Sequence, residues 1–482
     1  MNFRMVLLSI GKIFTIMAFL MILPLIYSIA VGDNMYYTFI ITIFAFAISS
    51  ILLHYFSKPV NTTMHAVEGF LTVAISWILV TLIGTLPFLL CGYFPNIIDA
   101  IFETISGFTT TGSSILNDIE ALPDSILFWR SFTQWIGGIG ILVFVLSVLP
   151  NSGAGSLSLV KAESSGKKFS KLVSTVKSTT QILCIIYAML SILLFVILCF
   201  AKLPFLDTIA LTFSTAGTGG FSVLNASVAG YNSAFVEIVI TVFMFIFSIN
   251  FGVYYLILIG KLKEAFKNEE LKWYFFIVIG SILIIALNII GQYDNFWDSL
   301  RDSAFQVLSY ISTCGFGTVN ITTWPILAQS LMLLIMVIGG CAGSTSGGLK
   351  VFRLAIVSKA MFNSNKTIYK THAFVPVKFN GQTQDGDEVY RIIQFFVMYI
   401  FFIIAGVLTI SLIDNLDFTT IFSACITTIG NVGPGLSQIE AFHNFNCFSS
   451  LSKLVLSILM LVGRLEFIPM LVLLSPKTYK NN

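Results

Sequence analysis

Thr109-Thr110-Thr111-Gly112 decides the fold, because altered copies of it recur along the chain. The copies are Gly217-Thr218-Gly219, Thr313-Cys314-Gly315 and Thr428-Ile429-Gly430. Each closes a short, half-polar segment that opens on an Asp (Asp99, Asp207, Asp302 and Asp417) twelve or thirteen residues earlier. Such a segment is too short and too polar to cross a bilayer, which takes about 20 apolar residues. Long apolar stretches flank every copy. The unit therefore reads as two crossings with a half-crossing helix and a loop between them. Its period of roughly a hundred residues is too long for a solenoid and suits four units around one axis.

Composition agrees. The chain has 482 residues, 56% of them hydrophobic and 10% charged, with a mean hydropathy of +0.92. Soluble domains average about 25% charged residues, so this is an all-α polytopic membrane protein. The lipid bilayer is its first partner, and a net charge of +3 gives no reason to expect nucleic acid. Most of the seven Cys lie in apolar runs and none forms a C-x-x-C, which argues against a disulfide framework or a zinc site. His54, His65, His372 and His443 lack ligand spacing.

In chain order, residues 1–68 read as an N-terminal transmembrane hairpin (13–31 and 36–56) and a polar link. Arg4 and Lys12 ahead of the first span, with Ser28-Ile29-Ala30 near its end mimicking a cleavage site, also fit a signal peptide, but the apolar run is long for one and a second span follows at once. Residues 69–178, 179–270, 271–388 and 389–482 form pore repeats 1 to 4. Their crossings are 69–93 and 126–149, 180–201 and 234–260, 273–291 and 324 onward, and 392–413 and 451–474. Gly137-Gly138-Ile139-Gly140 reads as a weak point in the second crossing of repeat 1. Basic residues gather in alternate loops: Lys161, Lys167, Lys168, Lys171 and Lys177; then Lys261, Lys263 and Lys267; then Lys350 to Lys378. By the positive-inside rule both termini are cytoplasmic.

Irregular backbone at membrane depth is tolerated where protein or a water-filled cavity surrounds it. Four such loops in equivalent positions should ring a pore. Backbone carbonyls can replace the water of a dehydrated cation, and glycine permits the angles that turn them inward. The residues in question are Thr110, Thr111, Gly112, Thr218, Gly219, Thr313, Cys314, Gly315, Thr428, Ile429 and Gly430. Negative helix ends aimed at the cavity favour a cation there. The four leading Asp residues suit helix starts as N-caps. A single T-x-G carries little weight, since Thr and Gly are common in membrane helices; four at one spacing carry much more.

Residues 339–348 hold five glycines: Gly339, Gly340, Gly343, Gly347 and Gly348. A continuous helix there would lose about 1 kcal/mol per Gly relative to Ala, so a break is expected. A phosphate loop is not supported, because no G-K-[ST] follows. Ser344, Thr345 and Ser346 can hydrogen-bond the exposed backbone. Arg464 lies inside the last span, where an Arg costs about 2.5–3.5 kcal/mol on insertion scales. It should face water or a partner, either as a positive barrier below the filter or tied to carbonyls of the 339–348 loop. Glu466 sits on another helix face. Glu103 in the first half-crossing helix should bond backbone behind the filter. Asn250 is a further cavity-lining candidate, and Lys350 and Arg353 read as the cytoplasmic membrane edge.

These motifs resemble the Trk/Ktr/HKT superfamily of potassium transporters, in its TrkH-type branch, over almost the whole chain. The resemblance rests on GFTTTGSS, STAGTGGFS, STCGFGT, TTIGNVGPG, GGCAGSTSGGLKVFR and GRLEFIPM, and on the extra N-terminal hairpin. It implies that Gly112, Gly219, Gly315 and Gly430 are the filter glycines. It also implies that the 339–348 loop (Gly339, Gly340, Gly343, Ser344, Thr345, Ser346, Gly347, Gly348) obstructs the pore as a gate, with Arg464 projecting beneath the filter. Gly112 stands where sodium-favouring plant relatives can carry Ser, which points to potassium as the transported ion. The second loop departs from T-x-G, with Gly217 where the others have Thr. The implied partners are a second copy of the chain and a cytosolic TrkA-type nucleotide-binding subunit on the basic inner loops of a bacterial cytoplasmic membrane protein. No organic cofactor and no enzymatic activity are expected. The rivals are a sodium-permeable or proton-coupled transporter of the same fold, and an intramembrane hydrolase built on Ser344 or Ser346.

Overall fold

The structure, a computed structural model, describes residues 2–57, 65–148, 176–369 and 376–479. The link at 58–64, His372, and the side chains of Lys161, Lys167, Lys168, Lys171, Lys177, Lys366, Lys370, Lys477 and Lys480 lie outside the description, so the basic loop 151–177 is not tested. Among the described residues, six helical spans are long and apolar enough to cross a membrane: Phe3–Val31, Tyr36–Phe56, Ala66–Leu90, Thr180–Cys199, Glu269–Gln292 and Gly386–Ile413. A 25-residue helix, Asp124–Val148, runs beside them. The usual soluble pattern is inverted. Leu412, Ile326 and Phe276 are exposed, while Asp99, Glu103, Arg130 and Lys453 are buried. Charges turned inward and apolar side chains turned outward are what a lipid solvent demands.

The N-terminal hairpin is a packed unit. Phe14 and Phe46 meet edge to face with ring centroids 5.6 Å apart, and Thr15 Oγ1 lies 2.7 Å from Ser50 Oγ.

Two crossings that the sequence reads as continuous are bent. Ala234–Phe247 and Phe251–Leu258 meet at 88°, and Ser450–Arg464 and Ile468–Leu474 at 118°. At the first break, Asn250 caps the second helix by accepting from Gly252 N at 2.8 Å. This carboxamide therefore serves a helix start. At the second, Glu466 and Phe467 both take positive φ (55° and 65°), and Pro469 restarts the helix. The expected weak point at Gly137–Gly140 is instead unbroken helix. Its glycines serve packing: a Cβ on Gly137 would lie 2.0 Å from Phe108 O, and one on Gly138 2.8 Å from Gly217 Cα. Small residues let backbones approach this closely.

The four half-crossing helices are Ile97–Phe108, Phe205–Gly217, Phe296–Ile311 and Phe418–Gly430. Of the four Asp residues read as N-caps, Asp417 alone is one, accepting from Thr420 N at 3.0 Å. The other helices start earlier, at caps Asn96, Pro204 and Asn295. That leaves Asp99 and Asp207 in the first turn and Asp302 in the body of its helix. Asp99 has a different partner. Lys453 Nζ, on the last crossing, reaches it at 2.7 Å, and both side chains are buried. This pair joins the first half-crossing helix to the helix Ser450–Arg464.

Removing one member of a buried pair leaves an uncompensated charge, at a cost of about 3–5 kcal/mol. Lys453→Met should lower thermal stability of the solubilised chain by that order, and Lys453→Met with Asp99→Leu should recover most of it. A single variant as stable as the unaltered chain would contradict the pairing.

Candidate functional site

The four half-crossing helices end in one shared turn. The first residue of each turn has left-handed backbone: Thr110 (φ 53°), Thr218 (φ 53°), Thr313 (φ 59°) and Asn431 (φ 53°). The next N–H folds back to a carbonyl in the helix: Thr111 to Ser106 at 2.8 Å, Gly219 to Ser214 at 2.8 Å, Cys314 to Ser309 at 2.9 Å and Val432 to Thr427 at 2.9 Å. A glycine of positive φ follows: Gly112 (82°), Gly220 (72°), Gly315 (83°) and Gly433 (104°).

The equivalent triplets are therefore Thr110-Thr111-Gly112, Thr218-Gly219-Gly220, Thr313-Cys314-Gly315 and Asn431-Val432-Gly433. This corrects the register read from sequence in two loops. Gly220 and Gly433, rather than Gly219 and Gly430, match Gly112 and Gly315. Thr428, Ile429 and Gly430 still belong to the fourth helix. Counting from the Asp residues fails because they do not mark one helical position. The second loop keeps the T-x-G form, with Gly217 as the last helical residue. The fourth loop is the one that departs, with Asn431 in place of Thr. Asn tolerates this backbone, whereas a β-branched Thr there is strained.

The four glycines close a ring. An added Cβ on Gly112 would lie 1.9 Å from Gly219 O, on Gly220 1.9 Å from Cys314 O, on Gly315 2.1 Å from Val432 O, and on Gly433 2.6 Å from Thr111 O. Each loop thus packs its glycine against the next loop's carbonyl, and the fourth returns to the first. Three Thr at positive φ store strain of order 1–3 kcal/mol each, which persists because the surroundings over-determine the backbone.

Buried polar groups hold the ring from behind. Glu103 accepts from Ile115 N at 3.0 Å and Ser114 Oγ at 3.0 Å, as expected. It also pairs with Arg130 Nε at 2.6 Å, a partner the sequence reading missed. Arg130 in turn donates to Ser222 O at 2.8 Å, so one buried pair spans the exits of loops one and two. Asn431 Nδ2 donates to Thr111 Oγ1 and to Met460 O, both at 3.0 Å, joining loops four and one. Four residues from Arg130 on the same helix, Gln134 also reaches loop two. The buried Thr110 hydroxyl at the foot of loop one has no hydrogen-bond partner among the described residues.

The 339–350 segment breaks the chain between Ile326–Ile338 and Val351–Tyr369, as its glycines require. It lies directly against the ring: Gly347 N donates to Thr313 Oγ1 at 2.7 Å and Gly348 N to Gly430 O at 2.9 Å. Its other side is pinned to the bent crossing, through Cys341 N to Ser248 O at 2.9 Å and Phe251 N to Gly343 O at 3.0 Å. Glu270 Oε1 accepts from Ala342 N at 2.6 Å. Ser344 Oγ donates to Cys341 O at 2.6 Å and Thr345 Oγ1 to Phe247 O at 3.2 Å, whereas Ser346 Oγ is buried without a partner among the described residues.

Arg464 crosses this space. One guanidinium nitrogen donates to Thr345 O and the other to Gly137 O, each at 2.8 Å. Lys350 and Arg353, read as the membrane edge, are buried instead. Lys350 Nζ donates to Ser346 O, and Arg353 pairs with Glu466. Asn250 sits against Gly343, whose added Cβ would lie 3.2 Å from Asn250 Oδ1. The signal for Lys350 and Arg353 in the sequence was the cost of charge inside a span, which applies to them as well as to Arg464.

The corrected register has a direct test. Gly433→Ala should cost about 1–2 kcal/mol from left-handed backbone alone, before the overlap with Thr111 O. A Cβ on Gly430 would meet Met336 O at 3.2 Å, which small shifts relieve. Thermal unfolding of the two variants should therefore separate clearly; equal loss, or greater loss at Gly430, would contradict the register.

Comparison with known proteins follows the same lines. The model of the TrkH family, described as a cation transport protein, matches residues 35–481. The chain is 34% identical to the Trk system potassium uptake protein TrkH of Salmonella typhimurium and 32% identical to that of Escherichia coli K12, with 100% of each chain covered. The crystal structure of the potassium transporter TrkH from Vibrio parahaemolyticus has a TM-score of 0.89 to it, at 29% identity over 100% of both chains. A cation transport family is not an enzyme family, and the chain belongs to it: it is a member of the TrkH family of cation transport proteins.

Proposed function

We propose that this chain takes up potassium across a bacterial cytoplasmic membrane, down its electrochemical gradient, through a filter made by the four-loop ring. The observation that carries the reading is the closure of that ring. Four loops from one chain, each at the negative end of a half-crossing helix, bring backbone oxygens together without charged side chains. Carbonyl dipoles can replace the hydration shell of a weakly hydrated ion. The names of the full-length relatives support potassium as that ion.

In this reading residues 69–178, 179–270, 271–388 and 389–482 each contribute one quarter of the filter. The segment 339–350 is the gate, and Arg464 is both its tie and a positive barrier to cations. The rival reading, a sodium-permeable or proton-coupled symporter of the same fold, differs in the ion ratio rather than the architecture. The relatives belong to the Trk system by name, which supports a cytosolic nucleotide-binding partner of the TrkA type and assembly as a homodimer. Both termini then face the cytoplasm.

Flux into liposomes containing the chain tests the proposal. Uptake should favour potassium over sodium at least tenfold, a difference of about 1.4 kcal/mol. Arg464→Ala should raise potassium flux several-fold by freeing Thr345 O and Gly137 O and removing the positive charge. Gly112→Ser should displace the Gly219 carbonyl and lower the ion ratio. Unchanged selectivity in Gly112→Ser would remove loop one from the filter.

A further inference from the structure

We propose that Gln134 is the positioning residue of the second filter loop, its carboxamide supplying in trans the side-chain anchor that Gly219 lacks. The proposal rests on the filter reading above and deepens it. The residue between the left-handed position and the ring glycine is Thr111, Gly219, Cys314 or Val432 in the four loops. Thr111, Cys314 and Val432 are fully buried and fix their loops by packing. Thr111 adds hydrogen bonds to Thr109 and Asn431. The second loop has no side chain here, and its two successive glycines, Gly219-Gly220, have the widest conformational freedom of the four.

Gln134 fills that space. A Cβ built on Gly219 would lie 2.4 Å from Gln134 Cδ, 2.6 Å from Nε2 and 2.8 Å from Cγ. The backbone at Gly219 is not left-handed, so conformation does not require a glycine; the space beside it is simply taken. Gln134 Nε2 donates to Gly219 O at 2.7 Å, and Gln134 Oε1 accepts from Phe221 N at 3.0 Å. A carboxamide carries both the donor and the acceptor that this pair of bonds needs. The two bonds bracket Gly220, and Gly219 O is the ring carbonyl that faces Gly112. Gln134 is itself fully buried, on a helix of the first repeat. Four residues earlier on that helix, Arg130 lies over the Phe221 ring at 3.6 Å and donates to Ser222 O. One helix face thus grips 219–222. By this account Gln134 sets where the second loop's carbonyl stands, and with it the discrimination between ions.

The test uses the solubilised full chain and measures potassium against sodium as the ion concentration giving half-maximal thermal stabilisation. Ligand linkage makes this a binding readout, and it needs no open gate. Gln134→Ala removes both hydrogen bonds that bracket Gly220. It should lower the potassium-over-sodium preference about tenfold. Gly219→Ala alone should lower it as well, because its methyl meets Gln134. The double variant should recover at least half of the loss on a logarithmic scale, since the methyl then occupies the vacated space. A smaller folded fraction does not move the ratio. If Gln134→Ala does not fold, the double variant is compared with Gly219→Ala: recovery supports the proposal and no recovery overturns it. A Gln134→Ala ratio within twofold of the unaltered chain overturns the assignment of Gln134 and leaves the filter standing. An unaltered chain that binds both ions equally overturns the filter reading and this proposal with it.

Discussion

Everything in this structure follows from the need to keep non-helical backbone inside a bilayer without stranding its hydrogen-bonding groups. In hydrocarbon an unsatisfied N–H or C=O costs several kcal/mol. Four loops and the 339–350 segment break helical bonding, and they survive because they bond and pack on one another. Each loop returns one N–H to its own helix and lays its glycine against the next loop's carbonyl. The ring is thus a mutual arrangement in which no loop holds its shape alone. Buried charge completes it. Arg130, paired with Glu103, reaches Ser222 O at the exit of loop two, and Lys453 with Asp99 ties the first half-crossing helix to the last crossing. Replacing such pairs by apolar residues can be nearly neutral, so their value here lies in fixing which elements meet.

The 339–350 segment obeys the same constraint. Its bonds reach the ring at Thr313, the end of the fourth half-crossing helix at Gly430, the bent crossing at Ser248 and Phe251, and the last crossing at Arg464. Several of these ties come from charged side chains, Arg464 and Glu270 among them, and the packing is as close as in the ring: a Cβ on Gly347 would lie 2.2 Å from Gly430 O. The 88° and 118° bends lie at two of its anchor points. The breaks in three crossings therefore belong to one cluster beneath the ring.

The half-crossing helices, the four loops, the glycine break and the buried Arg464 were legible in the sequence, because each violates a rule for ordinary spans. Half-crossings are too short, glycine runs are poor helix, and charge is costly. The register of loops two and four was not legible. It depends on where each helix starts, and Pro204, Asn295 and Asp417 decide that locally. Asn431 could stand for Thr because both take left-handed backbone here, a choice invisible to a T-x-G search. Arg130, Gln134 and Glu270 were missed for a related reason. Their partners lie tens of residues away or more, and sequence spacing carries no trace of those contacts.

Diffraction from crystals soaked in thallium or rubidium, strong anomalous scatterers that substitute for potassium, tests the central claim most directly. The account predicts an anomalous peak on the axis enclosed by the carbonyls of Thr111, Gly219, Cys314 and Val432. A peak held by the carboxylates of Asp118 and Glu120, or by Thr428 to Gly430, with none inside the ring, would contradict it.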